Sequence, residues 1–381
     1  MPVMQSPPGA ETIIDGRPYL YFAGTGYLAL QGHPEVVQAA CDAVRQYGIS
    51  SATTRAGFGN VPPMLEVERR AAEFFAAEEA FYYVSGYVGN QIFSTALGER
   101  FDGVLVDELS HYSVWEAARL SGRPVIAFRH RDPADLAAKL TAHLKAADRP
   151  LVLSDGIFPV LGSIAPVAEY QRVLASYPGA ALAIDDAHAV AVLGRYGRGT
   201  FEHAGLLTEG GNRDPDAAGG SPDGPALLFC GTLSKAVGGF GGIIPGTRQF
   251  MGWLKSHSHY FEAASPPPVP AAAATARALQ LIMAEPGMRT RLWENAAAVK
   301  DGLRRLGLPT DDTPVPIVCL SIGDKTNMQR IQRELIERGI VIAYTSGYSG
   351  VGAEGALRLA VFSTHTKAMI EQLLDAFRQL L

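Results

Sequence analysis

The chain has 381 residues, enough for a sizeable core in one large α/β domain or two smaller ones, and this excludes a small disulfide scaffold. It carries 33 Lys and Arg against 38 Asp and Glu, a net charge of −5, so no basic excess indicates nucleic acid or an anionic membrane surface as a partner. No apolar run approaches the roughly 18 residues of a membrane span. The first residues also lack the basic and apolar regions of a secretory signal. We therefore expect a cytoplasmic protein with no nucleic-acid or membrane partner.

Disulfides and metal sites are not expected. Cys41, Cys230 and Cys319 lie far apart and form no C-x-x-C pair, so we interpret all three as small core residues. His257 and His259 alone are too few for a metal-ligand set. We predict no metal site.

The first two thirds of the chain alternate helix-like and strand-like segments. A helix is predicted over 34–47, because Pro34 favours a first helical turn and Gly48 favours helix termination. A second helix begins at Pro62. Short apolar strands follow at 104–106, 125–128, 151–153 and 181–184, with helices over 133–146 and 166–177 between them. This alternation predicts an α/β fold with a mostly parallel sheet covered by helices on both faces.

A Gly- and Pro-rich loop is predicted at 208–224, and a Pro-rich hinge at 265–268. The remainder reads as a smaller α+β region, with helices over 271–283, 288–306, 326–338 and 366–380 and strands over 315–320 and 356–362. We therefore predict three parts: an N-terminal segment, 1–35, packing with the small domain; a large domain, 36–264; and a small C-terminal domain, 265–381.

Three of the predicted strands end in acidic or hydroxyl side chains. Asp107, Asp155 and Asp185 each stand at such an end. Strands also end in polar residues simply because the chain reaches water there. In open α/β sheets, however, the ligand crevice lies beyond the carboxyl ends of the strands, so three such ends favour a site at that edge.

Lys235 is the most informative single residue. The chain has only seven lysines, and Lys235 is the only charged side chain between Asp223 and Arg248, in an apolar and Gly-rich window. Desolvation there lowers the pKa of an amine, and a neutral amine can form a Schiff base with a carbonyl. The alternative is a lysine whose stem packs on the protein while its amine reaches water. Thr232 and the neighbouring glycine are suited to a phosphate.

Asp185 and His188 form a second candidate group, in I-D-D-A-H. An acid at a strand end can hold a protonated pyridine nitrogen, and a histidine three residues later can reach a substituent of the same ring. This pattern alone is weak, but the isolated Lys235 fifty residues later strengthens it. His111 follows another strand and either stacks on a planar ring or serves as a capping or buried histidine.

Two further signals have low specificity alone. Ser85-Gly86-Tyr87 stands at a predicted helix start, where free backbone N–H groups attract phosphate. Arg358 is a lone charge in an apolar strand, where an arginine usually pairs with a carboxylate of the protein or of a substrate.

Together these segments resemble the α-oxoamine synthases, enzymes of fold type I that use pyridoxal 5′-phosphate (PLP). The resemblance extends over nearly the whole chain, from about Gly26 to Arg358. Its most specific motifs are G-T-L-S-K-A at 231–236, D-D-A-H-A-V at 185–190, V-L-G-R-Y-G-R-G at 192–199 and R-L-W-E-N at 291–295.

The resemblance implies a role for each candidate residue. Lys235 matches the lysine that forms the Schiff base and moves the proton at Cα, and Arg358 matches the arginine that binds the amino-acid carboxylate. The cofactor contacts implied are Asp185 with the pyridine nitrogen, His188 with the phenolic oxygen, His111 stacked on the ring, and Thr232, Gly86 and Tyr87 with the phosphate.

The implied reaction joins an amino acid to an acyl thioester, in most members with loss of CO2, and gives an α-aminoketone. The implied assembly is a homodimer with active sites at the interface. An aminotransferase or retro-aldol reaction without an acyl thioester is the alternative, and a non-catalytic binding role is a third.

Several positions depart from the family pattern and leave the substrate open. Gly26 replaces an asparagine that helps to hold the amino acid, Pro159 replaces a serine near the ring oxygen, and Ala263 replaces a polar residue that contacts phosphate across the subunit interface. The segment Ala52-Thr53-Thr54-Arg55 replaces S-G-G-S-R. Both substrate pockets therefore differ from the family pattern, whereas the residues expected at the ring are retained.

Overall fold

A seven-stranded sheet forms the centre of the larger part of the protein in the computed structural model, which describes residues 1–207, 211–212, 224–348 and 350–381. Its strands, in chain order, are β3 (Glu79–Tyr83), β4 (Gly103–Asp107), β5 (Val125–Phe128), β6 (Pro150–Asp155), β7 (Ala181–Asp185), β8 (Ala226–Thr232) and β9 (Gly242–Gly246). The spatial order is β3-β9-β8-β7-β6-β4-β5. Pairing is parallel from β5 to β8 and antiparallel at β9 and β3. The predicted α/β fold with a mostly parallel sheet is confirmed.

A second sheet of five strands has the order β1-β2-β11-β12-β10. Its strands are β1 (Glu11–Ile14), β2 (Arg17–Phe22), β10 (Ile317–Leu320), β11 (Ile340–Thr345) and β12 (Ala356–Ala360). Strand β2 pairs in parallel with β11, so residues from the two ends of the chain share this sheet. The boundaries of the three predicted domains stay a prediction.

Thirteen helices surround the sheets in the described part of the chain. They are α1 (Pro34–Tyr47), α2 (Pro62–Phe75), α3 (Gly89–Leu97), α4 (Tyr112–Leu120), α5 (Pro133–His143), α6 (Val167–Leu174), α7 (Thr200–His203), α8 (Arg248–Ser256), α9 (His259–Glu262), α10 (Val269–Ala284), α11 (Gly287–Arg305), α12 (Lys325–Glu337) and α13 (Lys367–Leu380). None of the described helices is long and apolar enough to cross a membrane. Most of the loop predicted at 208–224 lies outside the described residues.

Buried strands explain the continuous apolar runs seen in the sequence. Along β6, Val152 packs into one core while Leu151 and Leu153 pack into another on the opposite face of the sheet. Because successive side chains of a strand point to opposite faces, both kinds of position must be apolar when helices cover both faces. A third core lies between the small sheet and the helices α11, α12 and α13.

The prediction of three core cysteines is wrong for one of them. Cys230 is buried and Cys319 is partly buried, but Cys41 is exposed. Cys41 lies on α1, which buries only Val36 and Ala43, so the face of this helix that carries Cys41 is exposed.

Candidate active site

A cavity of about 540 Å³ lies beyond the carboxyl ends of β6, β7 and β8. All eight residues that the sequence identified as site candidates line it: Gly86, Tyr87, His111, Asp185, His188, Thr232, Lys235 and Arg358. The expectation of a site at this edge of the sheet therefore agrees with where the structure places these side chains. Two of the three strand-end acids, Asp155 and Asp185, line the cavity, whereas Asp107 does not.

Lys235 follows β8 in a tight turn, and its amine lies inside the cavity. Although part of the side chain faces this open space, desolvation of the amine lowers the pKa of Lys235 from 10.5 to about 8. The negative charges of Asp185 and Asp155 oppose this shift, and the positive charge of Arg358 adds to it. A large fraction of Lys235 is therefore neutral slightly above neutral pH, as a nucleophilic amine requires.

His188 connects Lys235 to a buried tyrosine that the sequence analysis did not identify. Its Nε2 lies 2.9 Å from Nζ of Lys235, and its Nδ1 lies 2.7 Å from Oη of Tyr27. Burial and the nearby charges of Lys235 and Arg358 hold the pKa of His188 well below its usual range, so the imidazole is neutral. Arg358 Nη2 donates to the Tyr27 oxygen at 3.4 Å. Because a charged Lys235 amine can only donate, Nε2 accepts from it in that state, and the imidazole proton is then on Nδ1, bonded to the Tyr27 oxygen.

Asp185 is held at the end of β7 by two hydrogen bonds. Its Oδ2 accepts from Nδ2 of Asn90 at 3.0 Å, and its Oδ1 accepts from the backbone N–H of Ala187 at 3.0 Å. The register of β6 and β7 places Asp155 directly opposite Asp185. Burial raises the pKa of Asp185, and the charge of Lys235 opposes this effect. A cationic group bound beside Asp185 would favour its ionised form.

His111 is both a cavity residue and a helix cap, so the two readings of this histidine from the sequence are compatible. Its Nδ1 accepts from the backbone N–H of Ser113 at 3.2 Å, at the start of α4. Its own backbone N–H donates to Oδ2 of Asp155 at 2.7 Å, and its Nε2 lies 2.6 Å from Oη of Tyr348. The ring is therefore held on both nitrogens at the cavity wall.

The predicted phosphate site brings Gly86 and Thr232 into direct contact. A Cβ on Gly86 would lie 2.6 Å from Cβ of Thr232, so only glycine allows this approach. Gly86 begins a 3-10 helix that runs directly into α3, and the first N–H groups of such a turn have no acceptor within the helix. Thr232 donates its hydroxyl to the carbonyl of Gly241 at 3.0 Å, which fixes its side chain at the cavity.

Arg358 reaches the cavity from β12. Its Nε donates to the carbonyl of Pro159 at 2.7 Å and its Nη1 to the carbonyl of Gly24 at 3.1 Å. These acceptors are uncharged, and among the described residues no carboxylate forms an ion pair with this guanidinium. Because these partners are neutral, the charge of the buried guanidinium is available to pair with a ligand carboxylate.

Two of the departures from the family pattern have a structural counterpart. A Cβ on Gly26 would lie 2.5 Å from Nε2 of Gln31, so the Gln31 amide occupies the space of a side chain at that position. The same Nε2 donates to the carbonyl of Lys235 at 3.0 Å. Pro159 has no side-chain hydroxyl, but its carbonyl accepts from Arg358.

At the other departures, Arg55 is buried and forms a two-bond ion pair with Glu68 at 2.6 and 3.0 Å. The structure gives no contact that explains Ala263.

Four residues of the site were not identified as such from the sequence: Tyr27, Asn90, Asp155 and Tyr348. Only Asp155 gave a signal, because it ends a predicted strand beside Asp185. Asn90 contacts Asp185 from the first turn of α3, and Tyr348 lies in the segment between β11 and β12. Neither contact follows from local sequence. Tyr27 lies in a motif that resembles the family, but its bond to His188 spans 161 positions.

Comparisons with known proteins agree on the family. The family model described as aminotransferase class I and II matches residues 22–377. The 8-amino-7-oxononanoate synthase of Thermoanaerobacter pseudethanolicus is 32% identical over 378 residues, which cover 99% of this chain and 91% of that protein. The enzyme of the same name from Methylococcus capsulatus is 33% identical, with coverage of 98% and 92%.

Solved structures give the same fold. A serine palmitoyltransferase from S. paucimobilis with bound PLP has a TM-score of 0.89 at 24% identity, covering 100% of this chain and 92% of that one. An 8-amino-7-oxononanoate synthase from Francisella tularensis has a TM-score of 0.76 at 19% identity, covering 95% and 97%.

The cavity residues fit PLP. Gly86 and Thr232 form a cradle that a side chain at position 86 would fill. Oδ1 of Asn90, beside Asp185, is buried and has no hydrogen-bond partner among the described residues. The amine of Lys235, whose pKa is lowered, lies in the same cavity as Gly86 and Thr232. The chain therefore belongs to the class I and II aminotransferase family and, within it, to the α-oxoamine synthases, which are PLP-dependent transferases of fold type I.

Proposed function

We propose that this enzyme joins an amino acid to an acyl thioester in the cavity, releases the carboxylate as CO2 and yields an α-aminoketone. In this reaction the bond from Cα to the carboxylate breaks, a bond from Cα to the acyl carbon forms, and the thiol leaves. The observation that carries the proposal is the presence of Lys235 and Arg358 in one cavity: the amine has a lowered pKa, and the arginine has no carboxylate partner among the described residues.

PLP, when bound, supplies an electron sink for the Cα of the amino acid. Lys235 takes and returns the proton at Cα, because its pKa of about 8 allows both forms near neutral pH. Asp185 holds the pyridine nitrogen. The Asn90 amide and the backbone N–H of Ala187 orient the Asp185 carboxylate. His188 would bind the phenolic oxygen through Nε2, and its hydrogen bond to Tyr27 would hold the ring in place.

The remaining assignments concern binding. Thr232, Gly86 and Tyr87 hold the phosphate, where N–H groups at a helix start favour an anion. His111 stacks on the ring, and its two hydrogen-bonded nitrogens prevent rotation of the imidazole. Arg358 binds the amino-acid carboxylate, for which a charge-assisted pair in a desolvated cavity gives both affinity and orientation.

The assembly proposed is a homodimer with its active sites at the interface. Exposed apolar side chains near α1 and α2 support this proposal: Ile49 is 65% exposed, Phe58 is 96% exposed and Leu65 is 48% exposed. Exposed apolar groups in one region are typical of protein interfaces. Light scattering on the purified chain should give twice the 40.6 kDa monomer mass.

A cytoplasmic location stays a prediction.

The test of the reaction is incubation of the PLP-loaded enzyme with an amino-acid panel and a series of acyl thioesters. We expect free thiol and CO2 to appear in equal amounts for a matched pair of substrates, and neither product with Lys235→Ala. Keto acids formed without thiol would instead establish an aminotransferase, and aldehyde release would establish a retro-aldol reaction. A protein that is colourless after PLP addition and removal of the unbound PLP would exclude every catalytic alternative and leave a binding role.

A further inference from the structure

Tyr348 connects the small sheet to the wall of the cavity. It lies after β11, lines the cavity, and places Oη 2.6 Å from Nε2 of His111. Its ring packs edge-on against His111, with centroids 5.8 Å apart, and against Tyr112, with centroids 5.3 Å apart. His111 precedes α4 in the large sheet region, so one hydrogen bond joins two parts of the chain separated by 237 positions.

The direction of this hydrogen bond follows from the other nitrogen of the ring. The backbone N–H of Ser113 points at Nδ1 of His111 at 3.2 Å, and a backbone N–H can only donate. Nδ1 is therefore unprotonated, and the proton of the neutral imidazole is on Nε2. Nε2 then donates to the oxygen of Tyr348. Burial and the charge of Lys235 lower the pKa of His111, which is consistent with a neutral ring.

We propose that Tyr348 is a positioning residue that fixes the orientation of His111 by accepting a hydrogen bond from its Nε2. Its importance for catalysis rests on the proposed function, in which His111 stacks on the cofactor ring. The hydrogen bond itself is a property of the chain alone. Because Tyr348 follows β11, the hydrogen bond also ties the position of this segment to the site. Arg358 lies on β12, which pairs with β11 in the same sheet.

Two variants separate the role of the Tyr348 hydroxyl from that of the Tyr348 ring. Tyr112 donates its own hydroxyl to the carbonyl of Gly347 at 3.1 Å and so supports the backbone next to Tyr348. Tyr348→Phe keeps the ring contacts and removes only the oxygen that accepts from His111. Tyr112→Phe loosens the same segment and leaves that oxygen in place, so it is the matched control.

The electrostatic surroundings of His111 also matter for a measurement of its protonation. Lys235 lowers its pKa and Glu116 raises it, whereas Asp155 contacts only its backbone N–H. Neither Tyr348→Phe nor Tyr112→Phe changes any of these charges. A change seen in Tyr348→Phe alone is therefore due to the lost hydrogen bond.

The test is nitrogen NMR of the full chain labelled with ¹⁵N-histidine, with the His111 signals assigned through His111→Gln. In the wild type and in Tyr112→Phe we expect an unprotonated Nδ1 and a protonated Nε2. In Tyr348→Phe we expect Nδ1 to stay unprotonated, because Ser113 still donates to it, but the Nε2 shift to change with the lost hydrogen bond and PLP binding to weaken about 2- to 10-fold, the range for one hydrogen bond. Unchanged nitrogen shifts in Tyr348→Phe would overturn the proposal.

These spectra need no substrate and are first recorded without PLP. Suppose that no thiol is released but the His111 nitrogen shifts still differ between Tyr348→Phe and Tyr112→Phe. That result would overturn the proposed reaction but not the role of Tyr348. Equal effects of Tyr348→Phe and Tyr112→Phe on the His111 nitrogens would show that the whole segment, and not the Tyr348 hydroxyl, sets the ring.

Discussion

The amine of Lys235 and Nε2 of His188 lie 2.9 Å apart. Two cations at this separation repel each other strongly in a desolvated cavity, so the pair does not carry both charges. Burial lowers the pKa of each residue, and the charge of Lys235 further lowers that of His188. The site is therefore arranged to hold a neutral imidazole beside an amine that loses its proton near neutral pH.

This arrangement predicts the pH dependence of Lys235 reactivity in the cofactor-free chain. Because the pKa of Lys235 is lowered to about 8, the neutral amine accumulates as the pH rises from 7 to 9, well below the ordinary lysine value of 10.5. Acylation of Lys235 followed by peptide mass spectrometry should rise with a midpoint near pH 8. Labelling of Lys367, which is 91% exposed, provides a reference in the same digest. A midpoint above pH 10 would contradict the desolvated site.

Tyr27→Phe should lower both stability and activity while the fold is retained. The change leaves Nδ1 of His188 without its hydrogen-bond partner in a buried site, and one unsatisfied buried group costs about 1–3 kcal/mol. We expect kcat/KM to fall about 10-fold, because the ring of His188 is no longer held beside Lys235. Tyr170→Phe is the control, because this buried tyrosine bonds Asp107 outside the cavity. Equal losses of activity in the two variants would refute a specific role for Tyr27.

Arg358→Gln should weaken amino-acid binding more than cofactor binding. Loss of a charge-assisted pair reduces affinity roughly 10- to 100-fold, whereas no hydrogen bond joins Arg358 to Asp185, Thr232 or Gly86 in the described structure. Spectral titration with PLP and then with the amino acid measures the two affinities separately. Arg289→Gln removes an equally buried arginine away from the cavity and controls for stability. An unchanged titration with the amino acid would disprove the assignment.

Gly86→Ala should weaken PLP binding by about 10-fold or more without a matching loss of stability. The new Cβ would lie 2.6 Å from Thr232 Cβ, so the turn must shift at the predicted phosphate contacts. Gly252→Ala is the control, because a Cβ there meets nothing within 4 Å and the position lies in α8. Its helix should be slightly stabilised. Equal PLP affinity in the two variants would show that Gly86 does not shape the phosphate site.

The parts of the fold that depend on local pattern could be predicted from the sequence. The strands β4 to β7 appear as continuous apolar runs, and the helices α1, α2 and α5 have clear starts at Pro34, Pro62 and Pro133. The strands β1, β2, β3, β8, β9 and β11 were not predicted. Most of them depend on partners far away in the chain, such as β2 with β11 and β3 with β9. Such pairings follow from tertiary packing rather than from propensity.

The same division applies to the site. Lys235, Asp185 and Arg358 stand out because each is a charge in an apolar setting, and the structure places all three in one cavity. Tyr27 and Tyr348 do not stand out, because tyrosine is found both in protein cores and at surfaces. Their importance comes from single hydrogen bonds to His188 and His111, which only the three-dimensional arrangement reveals.

The central claim is that a bond forms between the Cα of an amino acid and the acyl carbon of a thioester. The most direct measurement is mass spectrometry of the product made from an amino acid labelled with ¹³C at either Cα or the carboxyl carbon. We predict a product that contains the acyl group, keeps the Cα label and loses the carboxyl label as CO2. A product without the acyl group, or one that keeps the carboxyl label, would contradict the proposed reaction.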